Sequence, residues 1–294
     1  MISYFRKPTF VFFGTPEFAA IILEKLIKEG YTPKAVICNP DKPVGRKKII
    51  TPPPVKQLLI EKFKDCKIEI LQPENLNDIR SKLFTIGADL FIVAAYAQII
   101  SKKILEIPRL GTIGVHPSLL PKYRGSSPVQ SVILNGEEKT GVTLYLMDEK
   151  MDHGSIIAQR ELEFPIFNFQ FLVLQQKLAE LGANLLIETL PKFFNGGITP
   201  LPQDESQATY TRKFVTEDGR VELEDLRIAQ NGLNSEKAIT IYRKILALNP
   251  EPGVFTFING KRVKLLEAKI SDNKLIITKI QIEGKKPQPN SAML

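Results

Sequence analysis

"DLFIVAAY", residues 89–96, is apolar almost from end to end. A strand with one wet face alternates apolar and polar residues. An unbroken apolar run instead marks a strand covered on both faces, as in a parallel sheet packed between helices. Similar short runs lie on either side of it: TFVFFG (9–14), KAVIC (34–38), IEIL (68–71) and GTIGVH (111–116). Between them, EFAAIILEKLIKEG (17–30) repeats its apolar residues at helical spacing and stops at Gly30, and Pro54 opens a second helix over 54–63. This alternation predicts an α/β fold with a Rossmann-like, doubly wound, mainly parallel sheet. Ligands of such sheets bind outside the carboxyl ends of the strands, which places Gly14, Tyr96 and His116 along one rim.

Beyond the rim, TGVTLYLMD (140–148) and SIIAQRELEF (155–164) read as paired strands around a loop, and 168–190 as a long helix. Residues 195–209, NGGITPLPQDESQAT, have the Gly, Pro and polar content of a linker. The remainder offers a helix near 235–247 and alternating strands GVFTFI, RVKLLEAKI and KLIITKIQI. The expected division is a catalytic domain over 1–194, a linker over 195–209 and a small C-terminal β domain over 210–294.

The 294 residues suffice for one large domain or two ordinary ones, and 43% hydrophobic with 24% charged residues is usual for a soluble globular chain. No apolar run approaches the roughly 18 residues of a membrane span. No cleavage site follows the first apolar run, so a cytoplasmic protein is expected. Cys38 and Cys66 are too few for a disulfide framework, and with two histidines no His/Cys metal site is expected. The net charge of +8 is unevenly spread. Eight basic residues face three acids between 258 and 286, and a second basic cluster lies in DKPVGRKKIITPPP (41–54), carrying Arg46, Lys47 and Lys48. Both clusters fit a solvated surface, and both fit one that attracts a polyanion.

His116 and His153 are the only histidines, and both fall in or beside rim loops. Asp152 precedes His153 in DEKMDHGS (148–155). An aspartate from a neighbouring loop can orient an imidazole at a strand end and hold its charge state, making a general acid/base pair. Other chemistries lack residues to carry them. FFGTPEF has one glycine where a dinucleotide fingerprint needs three, and no G-x-S-x-G or Walker A pattern occurs.

HPSLLPKYRGSSP (116–128), followed by TGVTLYLMDEKMDHGSII (140–157), closely resembles the signature of the 10-formyltetrahydrofolate-dependent formyltransferases. VFFGTPEFA (11–19), DKPVGRKK (41–48), QATYTRK (207–213), EPGVF (251–255) and IEGKKP (282–287) are similar to the branch of that superfamily whose substrate is charged initiator tRNA. The resemblance spans about residues 9 to 287. It implies transfer of the formyl group of 10-formyltetrahydrofolate to the α-amine of methionine esterified to initiator tRNA, by direct attack through a tetrahedral oxyanion and without a metal. It further implies that His116 serves the oxyanion and that Asp152 holds the histidine's charge state. The folate would meet Ser118, Leu119, Leu120 and Pro121, with Ala95, Tyr96 and Asp148. Gly14 and Thr15 would frame the methionyl end, and Arg46, Lys47 and Lys48 would approach the tRNA. A monomer is expected, with no membrane partner.

Two departures stand out. The family's catalytic asparagine falls at Gly114, so a side-chain amide is missing from the catalytic set. A preorganised oxyanion donor is worth about 10² to 10³ in rate. The C-terminal domain also looks abridged relative to the family's oligonucleotide-binding (OB-like) β-barrel. Two other functions fit parts of the pattern: a formyltransferase for a small amine such as an amino-sugar nucleotide, and a homologue that binds folate or tRNA without chemistry.

Overall fold

A computed structural model describes residues 7–45, 47–163 and 169–290. In chain order its first part contains β1 (Phe10–Gly14), α1 (Glu17–Lys28), β2 (Ala35–Ile37), β3 (Lys42–Val44), β4 (Ile49–Thr51), α2 (Pro54–Lys62) and β5 (Glu69–Leu71). Next come α3 (Arg80–Ile86), β6 (Leu90–Ala94), α4 (Lys102–Leu105), β7 (Thr112–His116), β8 (Arg124–Gly125), α5 (Pro128–Asn135), β9 (Lys139–Leu146) and β10 (Ile156–Glu163). The last part holds α6 (Phe171–Phe194), β11 (Tyr210–Thr211), α7 (Leu223–Gln230), α8 (Ser235–Leu248), β12 (Phe255–Ile258), β13 (Lys261–Ser271), β14 (Lys274–Ile282) and β15 (Gln288–Pro289).

Seven strands form the main sheet in the order β10-β9-β7-β6-β1-β2-β5. The pairs β7/β6, β6/β1, β1/β2 and β2/β5 are parallel, whereas β9 runs antiparallel to β7. The mainly parallel sheet expected from the apolar runs is therefore present, and all five residues of β6 are buried. On one face, Val11 and Phe13 of β1 and Phe91 and Val93 of β6 join Leu83 of α3 and Ile104 and Leu105 of α4 in a single apolar cluster. On the other, α1 buries Phe18, Ala19, Ile22, Leu23 and Leu26. Gly182 of α6 lies against Val115, Val142 and Ile22, where an added methyl would come within 3.1 Å of Val115.

Two compact units divide the chain. One comprises residues up to Arg124, Thr140–Leu162 and Gln175–Tyr210, and the other Gly125–Lys139, Glu163–Leu174 and Thr211–Leu294. In the second unit the sheet order is β12-β13-β14-β15, antiparallel throughout. The abridged barrel expected from the sequence takes the form of this four-stranded sheet. Against it α8 buries Ala238, Ile241, Ile245 and Leu246.

Some elements exceed the sequence expectation. The basic loop at 41–54 contains a hairpin of β3 and β4, pairing Lys42 with Thr51 and Val44 with Ile49. Its turn bends through left-handed backbone at Gly45 and Lys48. The short helices α5 and α7 were not expected; α7 buries only Leu226 and Ala229, too weak a stripe to signal a helix. Among the described residues no helix is long and apolar enough to cross a membrane.

Candidate active site

The rim expected from the sheet is built by three adjacent strands. Gly14 ends β1 beside Ala94 of β6, and His116 ends β7, the other neighbour of β6. Just past β6 the backbone turns sharply, with Ala95 at φ +49°. Left-handed backbone at a residue other than glycine is uncommon and tends to mark functional sites. The Tyr96 ring lies edge-on to Phe13, with centroids 5.7 Å apart, and its buried hydroxyl has no hydrogen-bond partner among the described residues. Burial, aided by the nearby Cys38, pushes the Tyr96 phenol up to about 12, so it stays a neutral donor at the rim. Gly14 is packed so closely that an added Cβ would lie 2.5 Å from that of Ala19 and 2.9 Å from the Ala94 oxygen. The Thr15 hydroxyl accepts a hydrogen bond from the Asn39 amide at 3.2 Å.

His116 is 6% exposed. Its Nε2 lies 2.9 Å from the carbonyl oxygen of Tyr123, itself at φ +61°. A carbonyl only accepts, so Nε2 carries the hydrogen and donates it, and in the neutral ring Nδ1 holds the lone pair. Nδ1 stands 3.6 Å from Oδ2 of Asp152. The expected pair is thus brought together, a shade beyond direct hydrogen bonding. The other carboxylate oxygen of Asp152 accepts a 2.6 Å hydrogen bond from the Tyr145 hydroxyl. Burial first, and then the Asp152 charge, drives the Tyr145 phenol well above the usual range.

The loop after His116 is pinned from beneath. The Thr143 hydroxyl donates to Ser118 O at 2.7 Å and accepts from Leu120 N at 3.0 Å, while the Gln159 amide donates to Leu120 O at 2.6 Å. Ser118 is fully buried and its own hydroxyl donates to Lys122 O at 2.7 Å. Its side chain, like that of buried Leu120, therefore shapes the loop, while Leu119 and Pro121 remain half-buried on it.

The Asp152 loop is held by residues far along the chain. Gln203 donates to the carbonyls of Asp152 and Gly154, at 2.9 and 2.8 Å. Gln203 in turn accepts from Arg124 Nη2 at 2.7 Å. Arg124 is wholly buried (0% exposed) and forms a two-pronged pair with Glu205, at 2.6 and 3.0 Å. The hydrogen bonds to Arg124 hold the Glu205 carboxyl below its ordinary value. Asp148 is 2.6 Å from His153 Nδ1 and accepts the Lys150 amide at 2.9 Å, so both residues brace the loop. The stretch read as a linker thus carries Gln203 and Glu205, both within the first unit.

Most candidate residues gather on this rim. Lys47 and Lys48 are exposed in the β3–β4 hairpin, and Arg46 lies outside the described residues. Sequence reasoning missed Tyr145, Gln203, Arg124 and the Tyr123 carbonyl. Only the charge of Arg124, next to a glycine in a proline-rich loop, offered any signal.

The sequence pattern of the family described as "Formyl transferase" matches residues 7–190, and that of "Formyl transferase, C-terminal domain" matches 234–275. The methionyl-tRNA formyltransferase of Caldicellulosiruptor saccharolyticus is 42% identical over 265 residues, 89% of this chain and 79% of that protein. The fold is similar to that of methionyl-tRNA formyltransferase from Clostridium thermocellum, with a TM-score of 0.59 at 18% identity, covering 94% of this chain and 98% of that one. It is also similar to HypX from Aquifex aeolicus in complex with tetrahydrofolic acid, with a TM-score of 0.65 at 18% identity, covering 97% of this chain and 46% of that one.

Proposed function

Because the chain belongs with the methionyl-tRNA formyltransferases of the formyl transferase family, we propose that it transfers the formyl group of 10-formyltetrahydrofolate to the α-amine of methionine carried by initiator tRNA. The observation that carries this reading onto the site is the pairing of His116 and Asp152 at the rim, 3.6 Å apart, at the end of a buried strand.

The amine lone pair attacks the formyl carbon, a carbon–nitrogen bond forms, and the carbonyl electrons move onto oxygen. Charge complementary to that oxyanion comes from His116. With Nε2–H committed to the Tyr123 carbonyl, Nδ1 is the ring atom left to exchange a proton. Once protonated there, the imidazolium is balanced by Asp152 on one side and presents positive charge to the tetrahedral centre. The proton shed by the attacking amine passes to Nδ1 and returns to N10 of the folate as the N10–carbon bond breaks. Asp152 holds the cation in the interval.

The co-substrate fits groups already present. The partnerless Tyr96 hydroxyl supplies a neutral donor beside the strained backbone of Ala95, and Leu119, Pro121 and the Asp148 loop offer adjoining surface for the pterin. Gly14 and Thr15 frame the methionyl end, while Lys47 and Lys48, with Arg46, approach the tRNA phosphates. The protein acts as a monomer in the cytoplasm on the charged form of the tRNA.

The test supplies purified protein with 10-formyltetrahydrofolate and either charged initiator tRNA or an amino-sugar nucleotide. Formyl-methionyl-tRNA forms and the sugar is not turned over. Formylation of the sugar alone, or of neither amine, would overturn the reading.

A further inference from the structure

Gly114 removes a side chain from the catalytic strand, and the structure shows what fills the space. Gly114 of β7 and Tyr145 of β9 are direct cross-strand partners. A Cβ built on Gly114 would overlap the Tyr145 ring, 2.5 Å from Cζ and 2.8 Å from the hydroxyl oxygen. The phenol therefore lies across the bare backbone of residue 114 and cannot occupy that position beside any larger residue. From there its hydroxyl reaches Asp152 Oδ1 at 2.6 Å, while Oδ2 of the same carboxylate faces His116 Nδ1.

We propose that Tyr145, seated over Gly114, is a positioning residue for formyl transfer. Its hydroxyl fixes the Asp152 carboxylate so that the second oxygen is presented to the imidazole. This rests on the formyltransferase reading above. Asp152 sits in a loop at left-handed backbone, φ +50°, and is held there from two sides. Gln203 fixes the backbone carbonyl and Tyr145 fixes the side chain. A hydroxyl donating to a carboxylate makes a short, charge-assisted hydrogen bond, stronger than one between neutral groups. The buried phenol keeps its proton, so Tyr145 orients the carboxylate without taking part in proton exchange. Glycine at 114 and tyrosine at 145 thus form one device: the first opens the space and the second fills it.

The test compares Tyr145→Phe, which retains the ring and its packing, in the wild-type and Asp152→Ala backgrounds. In the wild-type background kcat falls about tenfold to a hundredfold, the range for losing one hydrogen bond to a charged group. KM for both substrates stays within about twofold, because the phenol acts on a catalytic group rather than on bound substrate. In the Asp152→Ala background the same substitution has no further effect on single-turnover rate. Unchanged kcat, or the same fractional loss in both backgrounds, would overturn the proposal. With only two histidines in the chain, a second readout needs no turnover. The ring ¹⁵N resonances of His116 move in Tyr145→Phe while those of His153 stay, and an unmoved His116 would equally overturn it. Absence of transfer by the wild-type protein would instead overturn the functional reading, leaving the resonances to decide the role of Tyr145.

Discussion

His116 is constrained on both nitrogens by groups of different character. The Tyr123 carbonyl takes the Nε2 hydrogen and the Asp152 carboxylate faces Nδ1. Both neighbours are acceptors, and the shorter contact, to the carbonyl, places the hydrogen of the neutral ring on Nε2 and leaves Nδ1 to gain or lose a proton beside the carboxylate. Glycine matters at this scale as well. An added Cβ at Gly154 would overlap the Leu146 carbonyl oxygen, a backbone atom that cannot turn aside. Gly154→Ala is accordingly expected to cost about 1–3 kcal/mol, as overpacking does. The cost appears as a lower urea midpoint with an unchanged slope, and an unchanged midpoint would contradict the close approach. The histidine and aspartate were legible in the sequence because their residue types and rim positions point to acid/base chemistry. The role of Tyr145 was hidden, since in TGVTLYLMD it reads as one more apolar strand residue.

Among the elements, the parallel strands were legible because burial on both faces leaves unbroken apolar runs, as in DLFIVAAY. The β3–β4 hairpin was not, since its exposed residues follow no alternation and its turn rests on Gly45 and Lys48. The bracing of the Asp152 loop was equally out of reach. Arg124 meets Glu205 across 81 positions, and Gln203 meets the Asp152 carbonyl across 51. Neither spacing has a local pattern. The Gly and Pro content of 195–209 points to a linker. What composition leaves out is that this backbone pairs with the main sheet, Leu201 with Ile156 at the start of β10.

For the whole molecule, buried acidic groups dictate the response to alkali. Burial pushes the Cys38 thiol and the Tyr96 phenol up to about 12, and it also raises the Tyr145 phenol well above its ordinary value. The unfolded chain releases the Cys38 and Tyr96 protons from about pH 9 to 10, whereas the folded chain retains them to about pH 12. Their contribution to stability is therefore complete below about pH 9 and is lost as pH rises from there towards 12. The thermal midpoint is expected to hold between pH 7 and 9 and to fall beyond; a midpoint that rises or stays level through pH 11 would contradict this burial. The proposed function joins the His116–Asp152 pair to a rim assigned to the folate and to a basic hairpin assigned to the tRNA. The most direct test of that account is the single-turnover rate of formyl transfer to charged initiator tRNA, compared between the wild-type protein and His116→Ala. The account predicts ready transfer by the wild type and a loss of about 10² to 10⁴ in the variant, the range for a general acid/base; a variant as fast as the wild type would contradict it.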